Sequence, residues 1–370
     1  MNFCSDNVTG VAPEIMAALI AANEGAAMSY GNDECTQRLE AKFSELFETE
    51  VVVFPVATGS AANALALSVM TPPFGAIYCH TAAHINTDEC GAPELYTSGA
   101  KLVALPGWNG KISATDLEAT LAKAGAGIVH HVQPAAVSLT QSTELGTVYQ
   151  AVEISQIAEV AHAYGLSLHM DGARFANAVV SLGCTPADTT WRAGVDVLSF
   201  GATKNGAMAA EAVVFFNRSL AQTFNYRRKR GGHLFSKMRF LSAQLEAYIS
   251  GGLWLKNASH ANRMAAKLAV GLTTLPGMQL CVPVEANEIF LWLPETVIEG
   301  LYAEGFSFYR WEKGEETTVV RLVTAFNTKE EDVMAFLETA RRFSPCAPIH
   351  SPTTVIANTS EGSGTGGTVA

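Results

Sequence analysis

The chain has 370 residues, with 24 Lys and Arg against 35 Asp and Glu for a formal net charge of −11, a balance that excludes the broad phosphate-contacting surface a nucleic-acid partner needs. Hydrophobic residues make up 48 % and charged residues 16 %, at a mean hydropathy of +0.17, which excludes a disordered chain. No apolar stretch reaches the ~18 uninterrupted residues that span a bilayer, so no membrane partner is expected, and a chain of this length suggests two or three packed units.

The first ten residues, MNFCSDNVTG, carry neither a basic n-region nor an apolar h-region, and no secretory leader is expected. A helix is predicted from Pro13 to near Gly25. No strand follows it until residue 51, so residues 1–30 are expected to form an N-terminal arm and helix outside the main sheet. Short apolar runs then alternate with segments of helical period, the pattern of a mostly parallel sheet covered by helices. The seven runs lie at 51–54, 76–78, 102–105, 136–139, 166–170, 195–200 and 212–216. Helices are predicted over 60–70, 113–124 and 152–164; the second has Ser113 as N-cap, Asp116 in its first turn and glycines from Gly125 to stop it. Beyond Asn217 the pattern changes to long helices near 218–230, 233–250 and 255–275, then strands at 289–293 and 318–324 with helices over 295–304 and 329–343. The expected fold class is α/β, with a large domain over 31–250 and a smaller C-terminal α/β domain over 251–343. Residues 344–370 are rich in Pro, Ser, Thr and Gly, with Glu361 as their one acid and no aromatic residue. Such a segment buries too little to offset its ordering entropy, so a disordered tail is expected. The seven cysteines form no C-x-x-C pair, which argues against a disulfide framework or zinc ribbon and suits a reducing, cytoplasmic compartment. No metal site is expected.

In an open α/β sheet, ligands bind outside the carboxyl ends of the strands, so the polar residues just after each apolar run are the first candidates. Beyond 51–54 come Thr58, Gly59 and Ser60 at a helix start, either a plain N-cap or an anion site of bare N–H groups. Beyond 76–78 comes His84, either a structural histidine or a flat ring with two nitrogens for proton transfer. Asp171 follows 166–170 and either caps the next helix or holds a cationic ring nitrogen protonated. Lys204 follows 195–200 and is the one charge between residues 197 and 210. It is either a solvated loop lysine or, desolvated, a Schiff-base amine. Together these groups answer the phosphate, ring face, pyridine nitrogen and aldehyde of pyridoxal 5′-phosphate.

The segments HMDGARFANA (169–178), DVLSFGATKNG (196–206), TDECGAPE (87–94) and RLVT (321–324) resemble motifs of the low-specificity L-threonine aldolase family, of the aminotransferase-like fold type I; the similarity runs from about Ser5 to Phe343. The resemblance implies that Lys204 carries the cofactor, Asp171 pairs with its ring nitrogen, Thr58, Gly59 and Ser60 bind its phosphate, and His84 stacks on its ring. It further implies that Ser5, Arg174 and Arg321 hold the substrate carboxylate, Arg174 standing beside the cofactor as well. A guanidinium fork suits that task, although Arg321 alone reads as a surface strand residue. The basic run from Tyr226 to His233 is either a solvated helix face or, by resemblance, a loop whose Lys229 reaches the phosphate of a neighbouring subunit. Some members carry an Asn-Thr-His-Asn-Gly run where this chain has Thr140-Gln141-Ser142-Thr143-Glu144-Leu145-Gly146, so that histidine is missing. Members more similar to this chain have a histidine matching His130 and an aspartate matching Asp88. The candidate bases are therefore His84 and His130, with Asp88 holding the hydroxyl or a histidine; His130 acting with water is the expected choice, because a stacked imidazole has less freedom to move.

The implied activity is retro-aldol cleavage of L-threonine, L-allo-threonine and related β-hydroxy-α-amino acids to glycine and an aldehyde, by a homotetramer built of dimers. The alternatives are another pyridoxal-phosphate reaction on amino acids (β-elimination, racemisation, amino transfer or a phenylserine-preferring aldolase) or a non-catalytic protein that binds the cofactor.

Overall fold

Contacts divide the chain into two units in a computed structural model that describes residues 1–314 and 317–345. The larger unit comprises Gly10–Glu144 and Val148–Lys256. Each of its seven apolar runs forms a strand: β1 (Val52–Val56), β2 (Gly75–His80), β3 (Lys101–Leu105), β4 (Gln133–Thr140), β5 (Ser167–Gly172), β6 (Val197–Gly201) and β7 (Glu211–Phe215). They form one sheet in the order β1-β7-β6-β5-β4-β2-β3. β2, β6 and β7 are buried at every position, as strands covered on both faces are, and this is why they read as unbroken apolar runs. β7 lies antiparallel to both β1 and β6, and all other pairings are parallel.

A helix over Glu34–Phe47, absent from the sequence reading, fills the gap before β1. Asp33 caps it by accepting the Thr36 N–H at 2.8 Å. Its buried positions Leu39, Phe43 and Phe47 recur every four residues, and Phe47 packs on Phe175, Phe200 and Phe216. The predicted arm over 1–30 does not stay together: Met1–Thr9 groups with the smaller unit, and the helix Pro13–Ala22 with the larger. The helix predicted over 233–250 begins only at Arg239, and the one predicted over 218–230 is a 3-10 segment, Arg218–Thr223, followed by an α-helix, Phe224–Arg230.

The smaller unit, Met1–Thr9, Leu145–Thr147 and the chain from Asn257, contains an antiparallel sheet of β8 (Gln279–Leu280), β9 (Glu288–Pro294), β10 (Tyr309–Lys313) and β11 (Thr317–Val323) in the order β10-β11-β9-β8. β9 and β11 match predicted strands, whereas β10 is exposed at every position and offers no apolar run to read. Ile289, Leu291 and Leu322 meet Leu268, Leu301 and Phe336 in its core. The N-terminal segment is stitched to this core: Phe3 packs on Phe306 and Phe336, its N–H donates to the Ser307 carbonyl at 2.7 Å, and its carbonyl accepts from Val323 at 2.8 Å. The cut between the units falls after Lys256, inside the helix Leu253–Thr273, rather than at residue 250. From residue 346 onward the expected tail lies outside the described residues. Among the described residues, no helix is long and apolar enough to cross a membrane, and the six cysteines are free.

Candidate active site

With β7 alone reversed, the other six strands of the larger sheet direct their carboxyl ends to one edge. After β1, Thr58 accepts the Ala61 N–H at 3.2 Å and caps the helix Gly59–Met70. A Cβ at Gly59 would meet nothing within 4 Å, so the helix start faces open space beside the bare N–H groups of its first turn. Small residues, Ala61, Ala62, Ala64 and Ala66, dominate the buried part of this helix, and among them stands Asn63, 2 % exposed.

Asn63 is the hub of the site. Its Nδ2 donates to Asp171 Oδ2 and to Glu89 Oε1, both at 2.8 Å. Asp171, at the end of β5 and 4 % exposed, also accepts the Ala173 N–H at 3.0 Å. It does not cap the following helix, Phe175–Leu182, whose N-cap is Arg174. Glu89 Oε1 meets His84 Nδ1 at 2.9 Å. One line of short hydrogen bonds thus joins Asp171, Asn63, Glu89 and His84. His84 opens the single-turn helix His84–Thr87, with its side chain 39 % exposed. Its main-chain N–H donates at 2.7 Å to Glu144 Oε1, which also accepts the Thr140 hydroxyl at 2.8 Å.

The electrostatics follow this geometry. The hydrogen bond to Glu89 is the main cause that holds the His84 imidazole above its ordinary pKa; Asp171 adds to it, while burial and Lys204 oppose it. Burial pushes the Glu89 carboxyl up, and the bonds from His84 and Asn63 pull it back. Burial also pushes Glu144 up to about 7. Lys204 sits half-buried in the turn Thr203–Asn205 after β6. Asn205 anchors that turn by donating to Tyr248 Oη at 2.7 Å and to the Trp254 carbonyl at 2.8 Å, and Gly206 closes it at φ 116°, a conformation that favours glycine. Behind the turn, Glu211 Oε2 accepts the Ala202 N–H at 2.8 Å, and burial pushes this carboxyl up to about 7.

Two expected residues fall elsewhere. Asp88 is exposed and accepts only the neighbouring Thr87 hydroxyl, at 2.7 Å; the inward acid of that segment is Glu89, one residue on. His130 is exposed in the turn that precedes β4. That is the amino end of the strand, and eight residues of β4 at ~3.3 Å each separate it by about 25 Å from the carboxyl edge. Within one chain it does not join the site. Lys229 is exposed in the last turn of the helix Phe224–Arg230, its Nζ 4.6 Å from the centre of the Tyr30 ring, while its neighbour Arg228 is buried and donates to the Pro55 carbonyl at 3.1 Å.

In the smaller unit, Arg321 of β11 donates to the carbonyl of Cys4, beside Ser5, at 3.1 Å. The rings of Tyr309 and Trp311 lie 5.3 and 5.4 Å from its guanidinium, and its buried Nε has no hydrogen-bond partner among the described residues. Ser5 Oγ accepts the Asn7 N–H at 3.1 Å. Glu89, Glu144 and Asn63 line the site without having been expected there from the sequence. Asn63 had one available signal, as an amide inside an otherwise alanine- and leucine-rich helical stretch.

Residues 2–296 match the beta-eliminating lyase family. The low specificity L-threonine aldolase of Pseudomonas aeruginosa is 46 % identical over 307 residues, covering 83 % of this chain and 88 % of that protein. The enzyme of the same description from a Pseudomonas strain is 45 % identical with the same coverage. The solved threonine aldolase of Leishmania major superposes with a TM-score of 0.87 at 31 % identity, over 92 % of this chain and 98 % of that one. The serine palmitoyltransferase of Sphingomonas wittichii, 16 % identical with a TM-score of 0.67 over 92 % of this chain and 86 % of that one, shares the fold. The chain therefore belongs to the beta-eliminating lyase family, among the low-specificity L-threonine aldolases.

Proposed function

We propose that this chain is a pyridoxal 5′-phosphate-dependent aldolase that cleaves L-threonine, L-allo-threonine and related β-hydroxy-α-amino acids to glycine and an aldehyde. The observation that carries this reading is the buried line from Asp171 through Asn63 and Glu89 to the half-exposed ring of His84. It joins an acceptor suited to a pyridine nitrogen to an imidazole suited to proton transfer. The residues fit the cofactor: Asp171 retains lone pairs beyond its two bonds, the helix start at Thr58, Gly59 and Ser60 faces open space, and the Lys204 turn is held by buried anchors.

When bound, pyridoxal 5′-phosphate supplies an electrophilic carbon for the substrate amine and an electron sink for the pair left on Cα. Lys204 holds it covalently, Asp171 pairs with its ring nitrogen, and Thr58, Gly59 and Ser60 hold its phosphate, with Lys229 assigned to the phosphate of a neighbouring subunit in a dimer of dimers. Arg174, Arg321 and Ser5 hold the substrate carboxylate. Fixing that group would hold the substrate in one orientation, the condition for breaking Cα–Cβ rather than another bond at Cα. His84 accepts the β-hydroxyl proton at Nε2, the nitrogen that Glu89 does not occupy. As the hydroxyl oxygen becomes an aldehyde carbonyl, the Cα–Cβ pair passes to Cα, which later takes up a proton to give glycine. A cytoplasmic location completes the reading.

The test is incubation of the cofactor-loaded protein with L-threonine, L-allo-threonine and β-phenylserine. Glycine and aldehyde in equal amounts are expected; ammonia and a 2-oxo acid without aldehyde would overturn the reading in favour of elimination.

A further inference from the structure

Glu89 is a buried carboxylate to which the cofactor and carboxylate contacts give no task. It is 5 % exposed, and a single oxygen, Oε1, makes both of its hydrogen bonds, to Asn63 at 2.8 Å and to His84 Nδ1 at 2.9 Å. An ionised Glu89 can only accept at Oε1, from the Asn63 amide and from the imidazole alike, so the hydrogen between it and the ring belongs to Nδ1. A neutral histidine protonated at Nδ1 has a bare Nε2. The amide cannot turn over to spoil this arrangement. Its Nδ2 also binds Asp171 Oδ2 at 2.8 Å, and a flip would set the amide oxygen against two carboxylates.

We infer that Glu89, clamped by Asn63 against Asp171, is a positioning residue that fixes the His84 hydrogen on Nδ1 and so presents Nε2 as the proton acceptor. The inference rests on the aldolase reading for its purpose and extends it by saying what makes His84 a base. The charged groups around His84 come from four elements: Glu89 after the helix His84–Thr87, Asp171 at the end of β5, Lys204 after β6, and Glu144 after β4, the last through the His84 main-chain N–H. Of these, the bond to Glu89 is the largest cause that raises the His84 pKa. Removing the Glu89 charge therefore weakens the base and moves its titration to lower pH. A residue that merely tied down the loop would do neither.

The test uses nitrogen-15 resonances of the imidazoles in the full chain, with and without pyridoxal 5′-phosphate, His84 being identified by its loss in His84→Asn. The neutral wild-type ring is expected to carry its hydrogen on Nδ1. In Glu89→Gln, its titration midpoint is expected to fall by about one to three pH units, the size of losing an opposite charge at contact, and Glu89→Asp recovers part of that fall. A wild-type hydrogen on Nε2, or an unchanged midpoint in Glu89→Gln, overturns the inference; should Glu89→Gln fail to fold, the wild-type tautomer decides alone. In the loaded enzyme, Glu89→Gln is expected to lose roughly a hundredfold in kcat on L-threonine with little change in KM, and the acid limb of its pH profile moves to lower pH. Failure of the wild type to release aldehyde from any hydroxy amino acid sinks the aldolase reading and leaves the tautomer result standing.

Discussion

The two edges of the seven-stranded sheet are built from opposite materials. At the carboxyl edge Asp171, Asn63 and Glu89 are buried and joined by bonds of 2.8 Å, with Glu144 after β4 and Glu211 at the start of the reversed β7 also buried. The turn at the amino end of β4 instead shows Val129 at 89 % exposure and His130 to solvent, and the His131 ring meets a main-chain carbonyl, that of Ala124. Buried polar groups cost stability unless each is paired, so a fold that keeps several at one edge sustains a cost the other edge avoids. A solvated histidine in a turn asks nothing of its surroundings. The contrast shows that proximity to a strand in sequence does not identify a site residue; which end of the strand it follows does.

Substitution can break this contrast, and the largest effect is expected at Lys204. Lys204→Ala should abolish cleavage, and borohydride treatment of the loaded wild type should attach the cofactor to the Lys204 peptide; label on another lysine would end the assignment. Smaller effects are expected from the carboxylate ligands. Loss of one charge-assisted partner costs about 1.5–3 kcal/mol, so Arg321→Ala and Arg174→Ala should each lower kcat/KM roughly ten- to a hundredfold. Near-normal kinetics in Arg321→Ala would remove it from the site. The smallest effect concerns stability. The folded pKa of Glu211 is raised from 4.5 to about 7, so the folded state keeps this proton longer than the unfolded chain does. Stability should fall as pH rises through that window. Glu211→Gln keeps an acceptor for Ala202 and should flatten the fall in Tm between about pH 5 and pH 8; an unchanged slope would mean the burial cost is met elsewhere.

Much of this was legible in the sequence because buried strands and helix starts leave local marks. The seven strands of the larger sheet announced themselves as apolar runs, and Asp171, Lys204 and Thr58 stood a short way past three of them. What stayed hidden depends on direction and fine register. Periodicity has no sign, so the reversal of β7 could not be read. The exposed edge strand β10 had no apolar run to show. Asp88 and Glu89 are adjacent acids, and only the turn that follows, with Cys90 at φ 49° and Gly91 at φ 73°, accompanies the burial of the second and the exposure of the first. His130 was chosen by family likeness, and the sheet sets it at the wrong end of its strand for its own chain's site.

Whether proton transfer belongs to the carboxyl-edge network is decided by kcat/KM on L-threonine for His84→Asn beside His130→Asn, with cofactor content measured for both. A general base contributes ~10²–10⁴-fold, so His84→Asn is expected to lose that much while His130→Asn stays at the wild-type value. A loss of that size in His130→Asn, with His84→Asn near normal at full cofactor content, would move the base to the opposite edge of the sheet.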